Sequence, residues 1–334
     1  MKQLTMIVLV MVCAACIGQT LVLARHSNLD EWLLFKKQHG KVYETPEEDS
    51  RRFSLYLAAK DKIERHNSNA TDSYKLGLNH MSDWTKEELG KLHGLRDDIM
   101  RFRRSVRKDQ FREQLLNSDL TIPDELDWRT LPNRVTSVKD QGKLQIDWAF
   151  ATVGVLEGQL VTMNFAPNLT DLSVQNLIDC YQGSFYPGDA FRYLAHAGGI
   201  EKDSDYPFEN KVGTKCLFDS KKSIMTFKGA SDFVFEGEDA LQKVLVAYGP
   251  VAVGLSMVDW ENYQSGVFNS PNCEGDILNA ALVVGYGTDP TWGNYWIVKT
   301  SLSEKFGEQG YIRIKRGVGR CGIGAVAAVA KFDS

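Results

Sequence analysis

Apolar residues along this chain follow more than one rhythm, and each rhythm predicts a different element. Between Asn28 and about His93 the spacing is helical: Trp32, Leu33 and Phe35 form an apolar patch, and Arg52, Tyr56, Ala59, Ile63 and Asn67 recur at three- and four-residue steps. Such a stripe predicts a charged amphipathic helix whose one face packs on a partner. A second helical pattern runs from Trp148 to Met163, with its first turn near Asp147, where a carboxylate suits the positive end of the helix dipole. The period then changes. Val251 to Leu255, Ala281 to Gly285, Tyr295 to Val298 and Gly310 to Ile314 are short apolar runs separated by glycine-rich turns, which predicts strands. There is no internal repeat and no low-complexity tract.

Two segments break these rhythms. Met1-Lys-Gln3 followed by an apolar run from Leu4 to Ile17 pairs a positive start with a stretch shorter than a membrane span, which predicts a signal peptide over residues 1–18 with cleavage possible as late as 24. No other run approaches membrane length, so no membrane span is expected. Residues 96–119 crowd Arg101, Arg103, Arg104, Arg107, Lys108 and Arg112 beside few apolar groups and read as an exposed basic linker. From Ile122 onward the chain reads as globular.

Composition narrows the class. With 334 residues, 43% hydrophobic, 25% charged and a net charge of -4, the chain is a soluble globular protein of one large or two medium domains, neither disordered nor collagen-like. The acidic balance argues against nucleic acid as a partner. Of six cysteines, Cys13 and Cys16 leave with the signal peptide. Cys180, Cys216, Cys273 and Cys321 remain, an even number that suggests disulfides in a secreted chain. No CxxC pair is present, so zinc is not expected, and the reading includes no cofactor.

Val138-Lys-Asp-Gln-Gly142, Trp148-Ala-Phe150 and Leu156-Glu-Gly-Gln159 resemble the start of the protease domain in the papain and cathepsin L family. Leu172 to Cys180, Tyr206-Pro207, Tyr248-Gly-Pro250, Val283-Val-Gly-Tyr-Gly287, Tyr295 to Lys299, Gly307 to Tyr311 and Cys321-Gly-Ile323 continue the likeness in order. Upstream, Glu48, Arg52, Tyr56, Ala59, Ile63 and Asn67 sit where the family's inhibitory propeptide carries Glu, Arg, Phe, Asn, Ile and Asn, and Gly77-x-Asn79-x-Met81-x-Asp83 resembles its Gly-Asn-Phe-Asp pattern with Met for Phe. The resemblance implies an α+β, papain-like two-lobed fold with a helical left domain and a β-barrel-like right domain across a cleft. A helical inhibitory prodomain at 28–93 and a linker at 94–121 would precede the peptidase domain at 122–334. It also implies bridges between Cys180 and Cys216 and between Cys273 and Cys321.

Hydrolysis in this family needs a thiolate, an imidazole to activate it and protonate the leaving amine, an amide to orient the imidazole, and an oxyanion donor. Against the nucleophile signature Cys-Gly-[Ser/Ala]-Cys-[Trp/Tyr], this chain reads Leu144-Gln-Ile-Asp-Trp148, which puts Asp147 in the nucleophile position. Within Leu278-Asn-Ala-Ala281 the imidazole position is assigned to Ala280, and within Lys299-Thr-Ser-Leu-Ser303 the orienting amide is replaced by Thr300. Gln141 keeps the oxyanion position. A count needing no alignment agrees: of His26, His39, His66, His80, His93 and His196, only His196 follows the prodomain, and it precedes Gly198-Gly199 as a basic residue near a helix C-terminus.

Asp147 lacks an identifiable acid partner, and a site stripped of its triad retains only roughly 10³- to 10⁴-fold acceleration over water. The cleft is altered as well. The family's Cys-x-Gly-Gly segment is absent after Cys180, Leu144 stands where its partner cysteine would be, Leu302 replaces the tryptophan beside the imidazole, and Phe306 replaces a second one. Arg101-Phe-Arg-Arg104 resembles a convertase site, with processing after Arg104 by another protease, and Asn69 and Asn168 head glycosylation sequons. The reading is a secreted or lysosomal pseudopeptidase that binds or regulates other proteins, an active papain-family protease among the candidate partners. The alternatives are a cysteine-type peptidase, as family membership alone suggests, and a structural or storage protein.

Overall fold

The computed structural model describes residues 28–69, 71–95 and 110–332. The expected signal peptide and Arg104 lie outside the described residues. The N-terminal unit is built on two helices, α1 over residues 28–39 and α2 at Pro46–Asn67. The Thr45 hydroxyl caps α2 by accepting the Glu48 N–H at 3.2 Å, Pro46 sits in its first turn with three acidic residues, and Arg65 and His66 close its last turn. Trp32, Phe35 and Tyr56 bury their rings together between the two helices. Leu33 does not join them: it is 52% exposed, because one residue after Trp32 the helix has turned away from that face.

Beyond α2 the prodomain is not wholly helical. Tyr74–Leu76 forms β1, which pairs antiparallel with β5 (Tyr263–Phe268) and so adds an edge strand to the main domain's sheet. A three-residue strand is too short to leave a period in the sequence. Next comes α3 at Lys86–Gly90, opened by a reciprocal capping box between Thr85 and Glu88.

Arg52 organises this unit. Buried to 8% exposure, it donates to Glu48 at 2.6 Å, to the Asp83 carbonyl at 2.9 Å and to both carboxylate oxygens of Glu88. Burial would raise the Glu88 carboxyl, but hydrogen bonds from Arg52, from Lys143 of the main domain at 2.5 Å and from the Thr85 N–H hold it well below the usual carboxylate range. Arg52→Ala is expected to lower stability by about 3 kcal/mol, since removing one partner strands a buried charge. Denaturant unfolding monitored by circular dichroism measures it, and a change under ~0.5 kcal/mol would show that the network contributes little.

The segment expected to be an exposed linker is anchored where it is described. Gln110–Leu116 forms α4, with Leu115 buried, Phe111 against Tyr248, and the Leu116 carbonyl accepting from Lys243 at 2.7 Å. Its apolar residues are masked in the sequence by the arginines around them.

In the main domain, α5 (Asp147–Leu160) is buried on nearly every side, as expected of a central core helix. With α6 (Val174–Cys180) and α7 (Pro187–Ala197) it makes the helical lobe. The strands form one open sheet in the order β1-β5-β8-β7-β6-β4-β9-β3, with the short Leu126–Asp127 strand, β2, pairing off β6. No ladder among the described residues joins β1 back to β3, so the expected barrel-like lobe is an open, mainly antiparallel sheet. Here β3 is Gly229–Val234, β4 is Val251–Leu255, β6 is Asn279–Asp289, β7 is Gly293–Lys299, β8 is Tyr311–Lys315 and β9 is Val326–Lys331. The four strand patterns in the sequence fall on β4, β6, β7 and β8. Both expected bridges are present, Cys180–Cys216 and Cys273–Cys321, closing loops of 36 and 48 residues. In the chain-entropy account each contributes up to about 4 kcal/mol. No described helix is long and apolar enough to cross a membrane.

Candidate functional site

The first residue of α5 is Asp147, 1% exposed where β6 faces the helix. Its Oδ1 accepts the Trp148 N–H at 2.7 Å, and its Oδ2 accepts the Asn279 Nδ2–H at 2.9 Å and the Ala280 N–H at 3.0 Å. The Gly94 N–H of the prodomain donates to it too. Burial pushes this carboxyl up to about 7, against the four hydrogen bonds that favour its ionised form. With its lone pairs so committed, Asp147 is poorly placed to attack a carbonyl.

The side chain facing Asp147 is that of Asn279, one residue before the Ala280 assigned from the sequence. Side chains alternate across a strand, so a one-residue slip in assignment exchanges the cleft face for the opposite face of β6. Ala280 contributes only its backbone N–H. The correction leaves the chemistry unchanged in kind: a carboxamide neither takes nor gives a proton near neutral pH.

Asn279 ties three segments together. Its Nδ2 also donates to the Leu92 carbonyl at 2.8 Å, and its Oδ1 lies 2.9 Å from His93 Nδ1. Since the Asn279 oxygen can only accept, His93 Nδ1 carries the proton in this network. An imidazole therefore does reach the site, but from the prodomain and with Asn279 between it and Asp147. A count confined to histidines beyond the prodomain missed it.

Thr300 and Gln141 are engaged elsewhere. Thr300 Oγ1 donates to the Gly310 carbonyl at 2.9 Å and accepts the Leu302 N–H at 3.2 Å, serving its own turn. Gln141, 1% exposed, donates from Nε2 to the Leu144 carbonyl at 2.7 Å and accepts from Ser301 at 2.5 Å. Behind Asp147 a cavity of about 30 Å³ is lined in part by Glu157, Lys299 and Ser301, room for a water but not a substrate. The segment standing in for Cys-x-Gly-Gly walls the other side, with Tyr181 and Phe185 packed 5.6 and 5.2 Å from Trp148. Phe306 is buried against Trp260 and Tyr263.

The prodomain tail fills what remains. Leu95 N–H donates to the Leu278 carbonyl at 2.9 Å, and Gly94 lies so close to Asp147 that a Cβ built on it would stand 1.8 Å from Oδ1. Only glycine fits there. Away from the cleft, Asn69 and Asn168 are both exposed, with the Thr71 hydroxyl donating to Asn69 Oδ1 at 2.8 Å. His196 lies in the last turn of α7 before Gly198, whose φ of 102° ends the helix in the left-handed region.

Two family profiles match the chain: "Papain family cysteine protease" over residues 122–331 and "Cathepsin propeptide inhibitor domain (I29)" over residues 32–89. Cathepsin S of Mus musculus is 38% identical over 330 residues, spanning 94% of this chain and 93% of that protein. Cathepsin L of Sarcophaga peregrina is 35% identical over 318 residues, spanning 90% of this chain and 91% of that protein. Among solved structures, digestive procathepsin L2 proteinase from the Tenebrio molitor larval midgut superposes with a TM-score of 0.83 at 30% identity, covering 91% of this chain and all of that one (100%).

Proposed function

We propose, from the premise that the chain belongs to the papain family of cysteine proteases, that it is a pseudopeptidase, retaining the proenzyme architecture and acting by binding or regulating other proteins rather than by hydrolysis. One observation carries this reading: the cleft holds a buried Asp147 hydrogen-bonded to Asn279 and to the prodomain tail, with Thr300 turned away. No thiolate is offered, because every described cysteine is in a bridge. The intact disulfides and the ordered prodomain support a chain kept for its folded shape. An active papain-family protease is a fitting partner, since the chain carries an inhibitor-type propeptide domain.

The setting that fits is the secretory pathway, extracellular or lysosomal, supported by the two disulfides and the apolar leader. Asn69 and Asn168 would carry glycans, and Arg104 would be the point where another protease cuts the linker. The purified chain, with its linker cut and prodomain removed, is expected to give no turnover on a peptide library, while the intact chain captures a papain-family protease from its native fluid. Turnover that disappears in Asp147→Ala would overturn the reading. Abundance without any stoichiometric partner would favour a storage role instead.

A further inference from the structure

Among the described helices, only α1 turns large apolar side chains to solvent. Leu29, Leu33 and Leu34 are 43%, 52% and 54% exposed, whereas every other exposed large hydrophobic among the described residues stands outside helices and strands. We propose that this outer face of α1 docks on the same face of a second copy of the chain, giving a two-fold symmetric dimer.

The order of residues on that face carries the argument. Trp32 and Phe35 point into the prodomain core, and at 3.6 residues per turn Asp30, Leu33, Leu34 and Lys37 fall within about 50° of the opposite direction. All four are exposed. Along the helix they read acid, leucine, leucine, base, with Asp30 and Lys37 equally far from the midpoint between the leucines. When a second α1 lies antiparallel across that midpoint, the leucines of the two copies meet at the centre. Asp30 then faces the partner's Lys37 at one end, and the two-fold axis repeats the pair at the other.

Charge selects a second copy as the occupant. Glu31 and Lys36 are tied to α2 through Lys60 and Asp49, but Asp30 and Lys37 have no ion-pair partner among the described residues. An anionic membrane or a partner of one charge sign would satisfy one end of this face and be repelled by the other. A copy of the same face matches both ends. One pair of helices spanning residues 28–39 buries less than the roughly 1,200 Å² of a standard stable complex, so the association is weak and depends on concentration.

The test is sedimentation equilibrium of the chain with its linker uncut, from about 10 μM to about 1 mM at low salt, with circular dichroism to show that each variant is folded. The unaltered chain is expected to self-associate over that range. Asp30→Lys alone and Lys37→Asp alone should each weaken association roughly tenfold, because symmetry turns two attractions into two repulsions. Both substitutions in one chain should restore it. An equimolar mixture of the two single variants should form mixed dimers, since one chain then carries both bases and the other both acids. Leu33→Gln with Leu34→Gln should abolish association, and all four positions are exposed, so the fold is not at stake. The proposal is overturned if the unaltered chain stays monomeric, if the double charge exchange associates no better than either single one, if the single variants fail to pair with each other, or if the leucine variant associates as before. None of these readouts depends on Asp147 or on peptidase activity, so failure here leaves the pseudopeptidase reading standing.

Discussion

With the prodomain removed, Asp147→Cys combined with Asn279→His will give a thiol that iodoacetamide alkylates about 10²-fold faster at pH 6 than the thiol of Asp147→Cys combined with Ala280→His. The factor follows from thiolate population: a cysteine beside an imidazolium ionises below about pH 6, whereas an unassisted one has a pKa near 8.5 and is almost wholly protonated there. Asn279 and not Ala280 projects to within 2.9 Å of residue 147, so only a histidine at 279 can pair with the new thiol. Both double variants contain a single free thiol in the described chain, because Cys180, Cys216, Cys273 and Cys321 are bridged, which makes the comparison direct. Equal rates would mean that the facing position has been misplaced. Peptide turnover is expected to stay low even in the reactive variant, with Thr300 unable to orient the ring and Gln141 spent on the Leu144 carbonyl.

Gly94→Ala will loosen the prodomain by about 10²-fold once the linker is cut, measured as the dissociation rate of the severed prodomain on size exclusion or by surface capture. A methyl group 1.8 Å from Asp147 Oδ1 cannot be accommodated, and moving the tail forfeits the bonds made by Gly94, by Leu92 and His93 to Asn279 and by Leu95 to Leu278. Bonds to a charged or buried polar group are worth about 1.5–3 kcal/mol each at most, and two of them suffice for the factor stated. Because the new methyl lies in the tail, the folding of the main domain is not in question. An unchanged dissociation rate would show that β1 and the Lys62, Lys143 and Asn79 contacts hold the prodomain without the tail.

The stability of the full chain should also depend on pH. Burial in the fold raises the Asp147 carboxyl from 3.8 to about 7. The folded state therefore holds a proton that the unfolded chain releases, and this contribution is full below 3.8 and fades as pH rises through about 7. Burial acts oppositely on His80, pushed down to about 4 and further disfavoured as a cation by Lys41, His39 and Lys305, against the pull of Asp140. His39 is lowered too, by burial and then by Lys305 and Lys41. Their contribution is present above 6.5 and is lost as pH falls toward about 4. Glu88 is held far below this window by its cations, and Glu157 and Lys299, which share the small cavity behind Asp147, face each other. Between 6.5 and about 4 the loss at His80 offsets the gain at Asp147 and the loss at His39 tips the balance downward, so stability should be greatest near 6.5, and Asp147→Asn should remove the fall on the alkaline side alone. A profile unaffected by that substitution would take Asp147 out of the account.

The order of residues determined a good deal unaided. Strand and helix periods placed β4, α5 and β7, the motifs around Val138-Lys-Asp-Gln-Gly142 identified the family and its bridges, and the absence of a cysteine at 147 and of any histidine beyond 196 emptied the site of its chemistry. These are statements about which residue types exist and how they recur along the chain, and sequence carries that information whole. What only the tertiary structure decided is which atoms face each other. Asn279 and Ala280 are neighbours in sequence but lie on opposite faces of a strand, and the choice between them was fixed by the register of β6 against a helix start 132 residues away. The same holds for Gly94 seated on Asp147 and for the three residues of β1 that complete a distant sheet edge. Each arises where segments far apart in sequence meet, and a period along one segment says nothing about the shape or charge of the surface it will meet.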